Sequence, residues 1–484
     1  MLRRQPIFSA LEPQLVSSGL QPDLHNLHRL LWQDSANVTF FAGRVKRRLG
    51  SALMYSAGVE TIRGLSQQQA SDGTRWVWAA SGGDVTRWYG PAAEAIVTMP
   101  WQEDETVNDP ATLFDFTHYG DWTIINSSVG KAQLYKPPAA AEYSEAPGDV
   151  VTFTKKLSFI LAVGHGARGT QVSWSDADNI EVWIPTASNL AGSMAIDDFD
   201  TRIRASSRIG QSIAVYAEDQ LALVTYIADP YYFGQKVVLD GIGAVGKGAV
   251  CSDGKANYGV GHNGIWWTDA NTYRYIDEGF IHDYIQDNVN WAQKSKIIAV
   301  RNDYTGCIEF HFPMHGSGII NEGWSWDPRT GGWCPIPPFP AKDERRLFTR
   351  PILGTESGEV HQDQLLHNVD LPLTLETRPL LMQVQGPQGF ADIHTASRVD
   401  EVVLLLKEAT SVDFQIGSAQ SEEKDFHWSG WMELDPSSPT YLIEAMPDGV
   451  YWKLRFRSTA DQWKFDLQGF LLFGVVEGSK RGQQ

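Results

Sequence analysis

Between residues 70 and 335, short runs of alternating apolar and polar positions recur along the chain, separated by Gly, Asp or Asn. Each pair of runs reads as a β-hairpin whose return strand carries Trp or Tyr. Thr74 to Gly90 (TRWVWAASGGDVTRWYG), Ala256 to Asp269 (ANYGVGHNGIWWTD) and Ile320 to Pro335 (INEGWSWDPRTGGWCP) are examples. Leu157 to Val163 is apolar apart from Ser158, as expected of a strand buried on both faces. A lone hairpin cannot bury its aromatic face, so the pattern predicts sheets packed against sheets. The units return roughly every 40 to 50 residues, the size of a four-stranded propeller blade. The expected fold is therefore all-β: a β-propeller of five to seven blades, with six or seven favoured.

After about Val369 the texture changes to longer strands joined by polar loops: VDEVVLLLKEA, SVDFQIGSA, FHWSGWMEL, YWKLRFRST and WKFDLQGFLLFG. These predict a C-terminal antiparallel β-sandwich-like domain. In KLRFR, Leu454 and Phe456 form an apolar row, while Lys453, Arg455 and Arg457 point the other way. The expected division is an N-terminal arm (1–25), a propeller (26–368), the C-terminal β domain (369–477) and a polar tail (478–484).

Composition narrows the function classes. With 484 residues, 42% apolar residues and 18 Trp, the chain has ample material for packed cores. Cys251, Cys307 and Cys334 are far apart and lack a CxxC spacing, which indicates neither a zinc cluster nor a disulfide framework. No apolar stretch approaches a membrane span, and the N-terminus has no continuous apolar signal region, so a soluble intracellular product is expected. A net charge of -18 argues against broad electrostatic wrapping of DNA but allows local basic patches. Arg44, Lys46, Arg47 and Arg48 form one such patch after the apolar strand NVTFFAG. They are candidate assembly contacts, as are Arg455 and Arg457, with a solvated turn and a solvated strand face as the plain alternatives.

Catalytic signals are few. HExxH, a GxGxxG in a βαβ context, GxxxxGK[ST] and GxSxG are all missing. The expectation is a protein that is not an enzyme and takes no cofactor or metal. His165 and His262 sit in Gly-rich turns, where imidazoles are more often structural. The acids Asp176, Asp178, Asp197, Asp198 and Asp200 lack EF-hand spacing and read as turn formers. WSDADNIEVW places aromatics beside acids, a pattern that also suits sugar stacking. Gly243, Gly264, Trp266, Asp327, Gly331 and Trp333 are expected to be turn and core positions.

Three stretches carry a family resemblance. NVTFFAGRVKRRLG (Asn37 to Gly50) resembles the opening of bacteriophage tail nozzle and packaged-DNA stabilisation proteins, a head-completion β-propeller family. The run from Ile209 to Asp269 is similar to that family's succession of strand, acidic turn, aromatic return strand, IGxxG segment and Gly-rich Trp hairpin. Tyr216, Glu218, Asp219, Tyr226, Ile242, Gly243, Gly246, Gly261, Gly264, Ile265 and Trp266 carry the match. WSWDPRTGGW resembles the family's aromatic hairpin through Trp326, Asp327, Thr330, Gly331 and Trp333.

The resemblance implies a structural virion protein. It would form the tail nozzle or plug at the distal end of the portal-adaptor channel, a head-tail connector that retains packaged DNA and permits its ejection. Implied partners are other copies of the chain in a homohexameric ring, portal-adaptor proteins, tail fibre, spike or needle proteins, and passing DNA in transient nonspecific contact. The implied location is the virion tail, after assembly in the host cytoplasm. The alternative expectation is a phage tail or host-surface protein that binds glycan through Trp-rich loops.

Overall fold

The computed structural model describes residues 8–11, 32–36, 38–41, 44–48, 50–82, 84–89, 92–96, 113–127, 130–229, 231–343, 347, 350–366, 373–386, 389–393, 396–422, 425–443, 446–458 and 463–476. Most of the expected N-terminal arm and the whole polar tail lie outside the described residues. Burial differs from strand to strand: Phe159–His165 is buried at every position, whereas in the hairpin of Arg75–Ser81 and Asp84–Tyr89 the first strand is buried from Val77 onward and the second is buried only at Val85.

Among the described residues, seven sheets have four antiparallel strands each. Six follow the chain in order, over residues 62–96, 115–143, 152–195, 205–240, 250–275 and 298–336. The seventh joins Ala341–Asp343, Ile352–Gly354 and Glu359–Leu366 to Gly50–Ser56 from the start of the chain. The first strands of successive sheets lie against one another in chain order, and Ala341–Asp343 of the seventh lies against Ile62–Gln69 of the first. A short helix, His282–Asn288, falls between the fifth and sixth sheets. No helix among the described residues is long and apolar enough to cross a membrane.

The closed β-propeller expected from the sequence is corrected by this hydrogen bonding. Among the described residues no sheet closes on itself; each of these seven ladders stops at its fourth strand, and the result is an all-β fold of separate, open antiparallel sheets. The physical reason is that turn and aromatic signals act over a few residues and specify hairpins, not how sheets join; among the described residues neighbouring four-stranded sheets meet through side chains, with no ladder running from one to the next.

Among the described residues, five junctions between sheets have an apolar core of their own. Trp78 packs with Phe116 and Tyr135 between the first and second sheets, and Ile124 and Leu134 with Phe153 and Ile160 between the second and third. Phe159, Trp174, Val215 and Phe233 join the third to the fourth, and Tyr216 stacks on Trp266 between the fourth and fifth. Tyr55 and Ile352 meet Ile62 and Val77 at the junction of the seventh with the first. Fully burying one such large side chain stabilises by roughly 1.5–3 kcal/mol, which explains the dense aromatic content.

Two larger sheets complete the fold, and both mix the two ends of the chain. A six-stranded sheet contains Phe8–Ala10, Val38–Phe41 and Arg44–Arg47 together with Ser397–Thr410, Thr440–Leu442 and Lys464–Val476. An eight-stranded sheet pairs Trp32–Ala36 with Leu373–Thr377, which continues to Tyr451–Ser458. Strands of the first 47 residues thus pair across the expected division at 368/369. One continuous core runs from Trp32, Phe40 and Phe456 to Phe310, Trp326 and Trp333, fastening the larger sheets to the fifth and sixth.

Candidate functional site

The hairpin Val38–Phe41 and Arg44–Arg47 lies along Lys464–Val476 and beside the sixth sheet, where a cavity of about 360 Å³ opens. Lys46, Arg47 and Arg48 form one wall, and Glu309, Asp327, Cys307 and Cys334 of the sixth sheet form another. Tyr304, which is 50% exposed, also lines it. The sequence-predicted basic cluster and the predicted turn residue Asp327 are therefore brought together in one place.

The basic residues have intramolecular work. Arg44 Nη1 reaches Asp466 Oδ2 at 3.3 Å and Lys46 Nζ reaches it at 3.8 Å. The Arg47 guanidinium lies 4.8 Å from the Trp463 ring centroid and donates to the Trp463 carbonyl oxygen. Arg48 is only 3% exposed. A solvated turn, the plain alternative for this cluster, does not describe Arg48, which is buried.

Behind the wall, Glu309 accepts from Asn302 Nδ2 at 2.7 Å and from Lys342 Nζ, with His311 Nε2 at 3.8 Å. Burial alone pushes the Glu309 carboxyl up, but Lys342, His311 and Arg48 outweigh it and hold the carboxyl well below its usual range. Burial pushes the His311 imidazole down and so favours its neutral form. Asp327 accepts from the Arg329 backbone N–H, Nε and Nη2 at 2.9, 2.7 and 3.0 Å. Burial raises the Cys307 thiol to about 11 and the Cys334 thiol to about 12, so neither is a ready nucleophile.

The residues of the family-like turns lie elsewhere and hold backbone together. Trp266 is fully buried and its Nε1 donates to the Gly243 carbonyl at 2.8 Å. Gly243 passes so close to Glu218 that an added Cβ would lie 2.2 Å from backbone atoms, which leaves room for glycine alone. Gly264 and Gly331 have φ of 132° and 74°. Trp333 is fully buried, and its Nε1 donates to Ile276 O at 3.3 Å.

Beside these turns is a smaller cavity of about 270 Å³ that includes Glu218 and His262. Arg204 donates to Glu218 through Nε at 3.0 Å, while Lys294 Nζ is 3.9 Å from Glu218 and 3.1 Å from His262 Nε2. Burial and the Lys294 charge both lower the His262 imidazole. His165 is buried and bonded to Ser173 Oγ at 2.9 Å.

A third cavity, of about 200 Å³, lies where the first strands converge, and Lys247 bridges it to Asp115 at 3.0 Å. Burial lowers the Lys247 ammonium against the opposing pull of Asp115.

On the eight-stranded sheet, Leu454 and Phe456 face the core, and the Arg455 and Arg457 guanidinium carbons lie 3.9 Å from the Trp428 ring centroid and 3.8 Å from that of Trp431. Arg455 Nε also donates to Gln415 at 2.8 Å, and Arg457 pairs with Asp413 at 3.5 Å. The partnership with Trp428 and Trp431 was not foreseeable from KLRFR, since those indoles arrive from another segment.

The acid-rich segment does not converge. Asp176 accepts from the Ala177 and Leu190 N–H groups at 2.9 and 2.7 Å, Asp178 accepts from Tyr119 OH at 2.7 Å, and Asp197 faces Arg168. Among the described residues, no group of His, Cys, Asp or Glu is arranged to hold a metal ion. Trp174 and Trp183 of WSDADNIEVW are each 6% exposed, so they do not form a sugar-stacking surface.

No protein family profile and no curated protein matches the chain. Among solved structures, it is similar to the Neurospora crassa Pan2 WD40 domain, with 10% identity, 62% of this chain and 88% of that one covered, and a TM-score of 0.40. It is also similar to the extracellular domain of the B. thetaiotaomicron protein BT4673, with 12% identity and a TM-score of 0.44. That match covers 78% of this chain but only 47% of the other. Likeness at this level is too low to carry a fold or a function across.

Proposed function

We propose that this chain is a noncatalytic structural protein, and that its setting is the virion tail nozzle or plug implied by the resemblance of its turns. One observation carries the structural reading. Trp266, Gly243 and Asp327, on which the resemblance rests, are committed to backbone hydrogen bonds and close packing. Such residues make a stiff frame and leave little for chemistry.

The cavity geometry refines the proposal. The central cavity is about 200 Å³ and is bridged by Lys247 and Asp115, whereas the major groove of duplex DNA alone is about 12 Å wide. Any passage for DNA would therefore lie between copies of the chain, not within one, and retention would depend on assembly.

Electron microscopy of the purified protein, alone and mixed with a portal-adaptor complex from a tailed virus, tests this. The expected result is a closed oligomer with a coaxial opening that caps the complex. Single particles that never dock would overturn the tail reading.

A further inference from the structure

We propose that the cavity between the 38–47 hairpin and the sixth sheet is a binding site for a phosphate-bearing ligand of mononucleotide size. This does not depend on the tail reading. At about 360 Å³ the cavity lies at the lower end of the roughly 300–1,000 Å³ that ligand pockets span, so it suits a single small group.

Charge selects the ligand's sign. Three cations line the cavity, Lys46, Arg47 and Arg48, against two carboxylates, Glu309 and Asp327. Each carboxylate already has a cation of its own, Lys342 and Arg329 respectively. Basic side chains thus outnumber acidic ones in the lining, in a chain of net charge -18, although Lys46 also pairs with Asp466 and Arg47 with Trp463, and this balance favours an anionic occupant.

Chemistry at the rim suggests what the phosphate is attached to. Tyr304 is half-exposed, and Arg350 backs its ring at 3.6 Å from the centroid. Arg350 Nη1 is buried and makes no hydrogen bond among the described residues. An aromatic plane stiffened by a guanidinium is a stacking platform for a base. The phosphate could come from a free nucleotide or from the 5′ end of a DNA strand, and the same chemistry recognises both.

Titration calorimetry at low salt on the full chain separates these cases. The ligands are AMP, adenosine, inorganic phosphate, and a short oligonucleotide with and without a 5′-phosphate. AMP is expected to bind and adenosine to bind at least about tenfold more weakly, since a charge-assisted hydrogen bond is lost. Lys46→Gln, at a partly exposed side chain, should weaken AMP about tenfold while leaving unliganded melting unchanged. Tyr304→Ala should weaken AMP more than inorganic phosphate. Binding of the phosphorylated oligonucleotide in preference to AMP identifies a strand end, and its exclusion identifies a free nucleotide; both support the site. The proposal is overturned if neither AMP, phosphate nor the phosphorylated oligonucleotide binds at about 1 mM, or if both variants leave the affinity unchanged.

Discussion

Replacing Trp266 with Ala tests how the fourth and fifth sheets are locked. The indole is fully buried and stacks on Tyr216 with centroids 5.1 Å apart at 28°. Its floor is backbone: an added Cβ on Gly259 would fall 2.3 Å from the ring, so the space beneath cannot fill by side-chain rearrangement. A buried Trp→Ala change costs about 3–5 kcal/mol, and the value rises when the cavity cannot collapse. Losing the Nε1–H donor also leaves the Gly243 carbonyl unmet, at about 1–3 kcal/mol. We therefore expect about 5 kcal/mol for Trp266→Ala, and about 2 kcal/mol for Trp266→Phe, which retains most of the apolar area and loses the donor. Urea titration followed by fluorescence, with native-state hydrogen exchange of the Gly259 to Thr268 amides, measures both. A loss below about 1 kcal/mol for Trp266→Ala, or equal losses for the two variants, would refute the reasoning.

Other perturbations probe the cavity and the turns. Lys342→Met should destabilise by about 3–5 kcal/mol because Glu309 keeps its buried charge, whereas the double variant with Glu309→Gln should recover much of the loss; equal denaturation midpoints for the single and double variants would contradict this. The Glu309 carboxyl is held below its ordinary 4.5 in the folded chain, so its contribution is present above that pH and is lost as pH falls below it. His311 is held below its ordinary 6.5 and likewise contributes above that value and loses its contribution as pH falls, so stability measured against pH should be flatter below 6.5 in His311→Gln. Arg48→Glu would bury a carboxylate near Glu309 and should abolish soluble expression, while Lys46→Glu should not; normal melting of Arg48→Glu would show that the side chain is not buried.

Local elements were readable because they depend on neighbours in the chain. The hairpin around Gly82 to Asp84, the buried run near Leu161 and the alternation of Leu454 with Arg455 all follow from side-chain periodicity, although the buried strand begins at Phe159 and Leu157 stands exposed in the turn before it. The basic cluster was visible as a cluster but not as a cavity wall. Nothing near Arg48 in sequence announces Glu309, and nothing near Arg455 announces Trp428.

The sequence by itself thus determined an all-β chain of short hairpins with aromatic faces, because alternation and Gly, Asp and Asn turns act over a few residues. Only the tertiary structure decided that the sheets stay open and separate, that Gly50–Ser56 completes a sheet with Glu359–Leu366, and that Arg47 meets Trp463. Those pairings join residues hundreds of positions apart, and a strand's apolar face fits many partners equally well until the packing of the whole chain selects one.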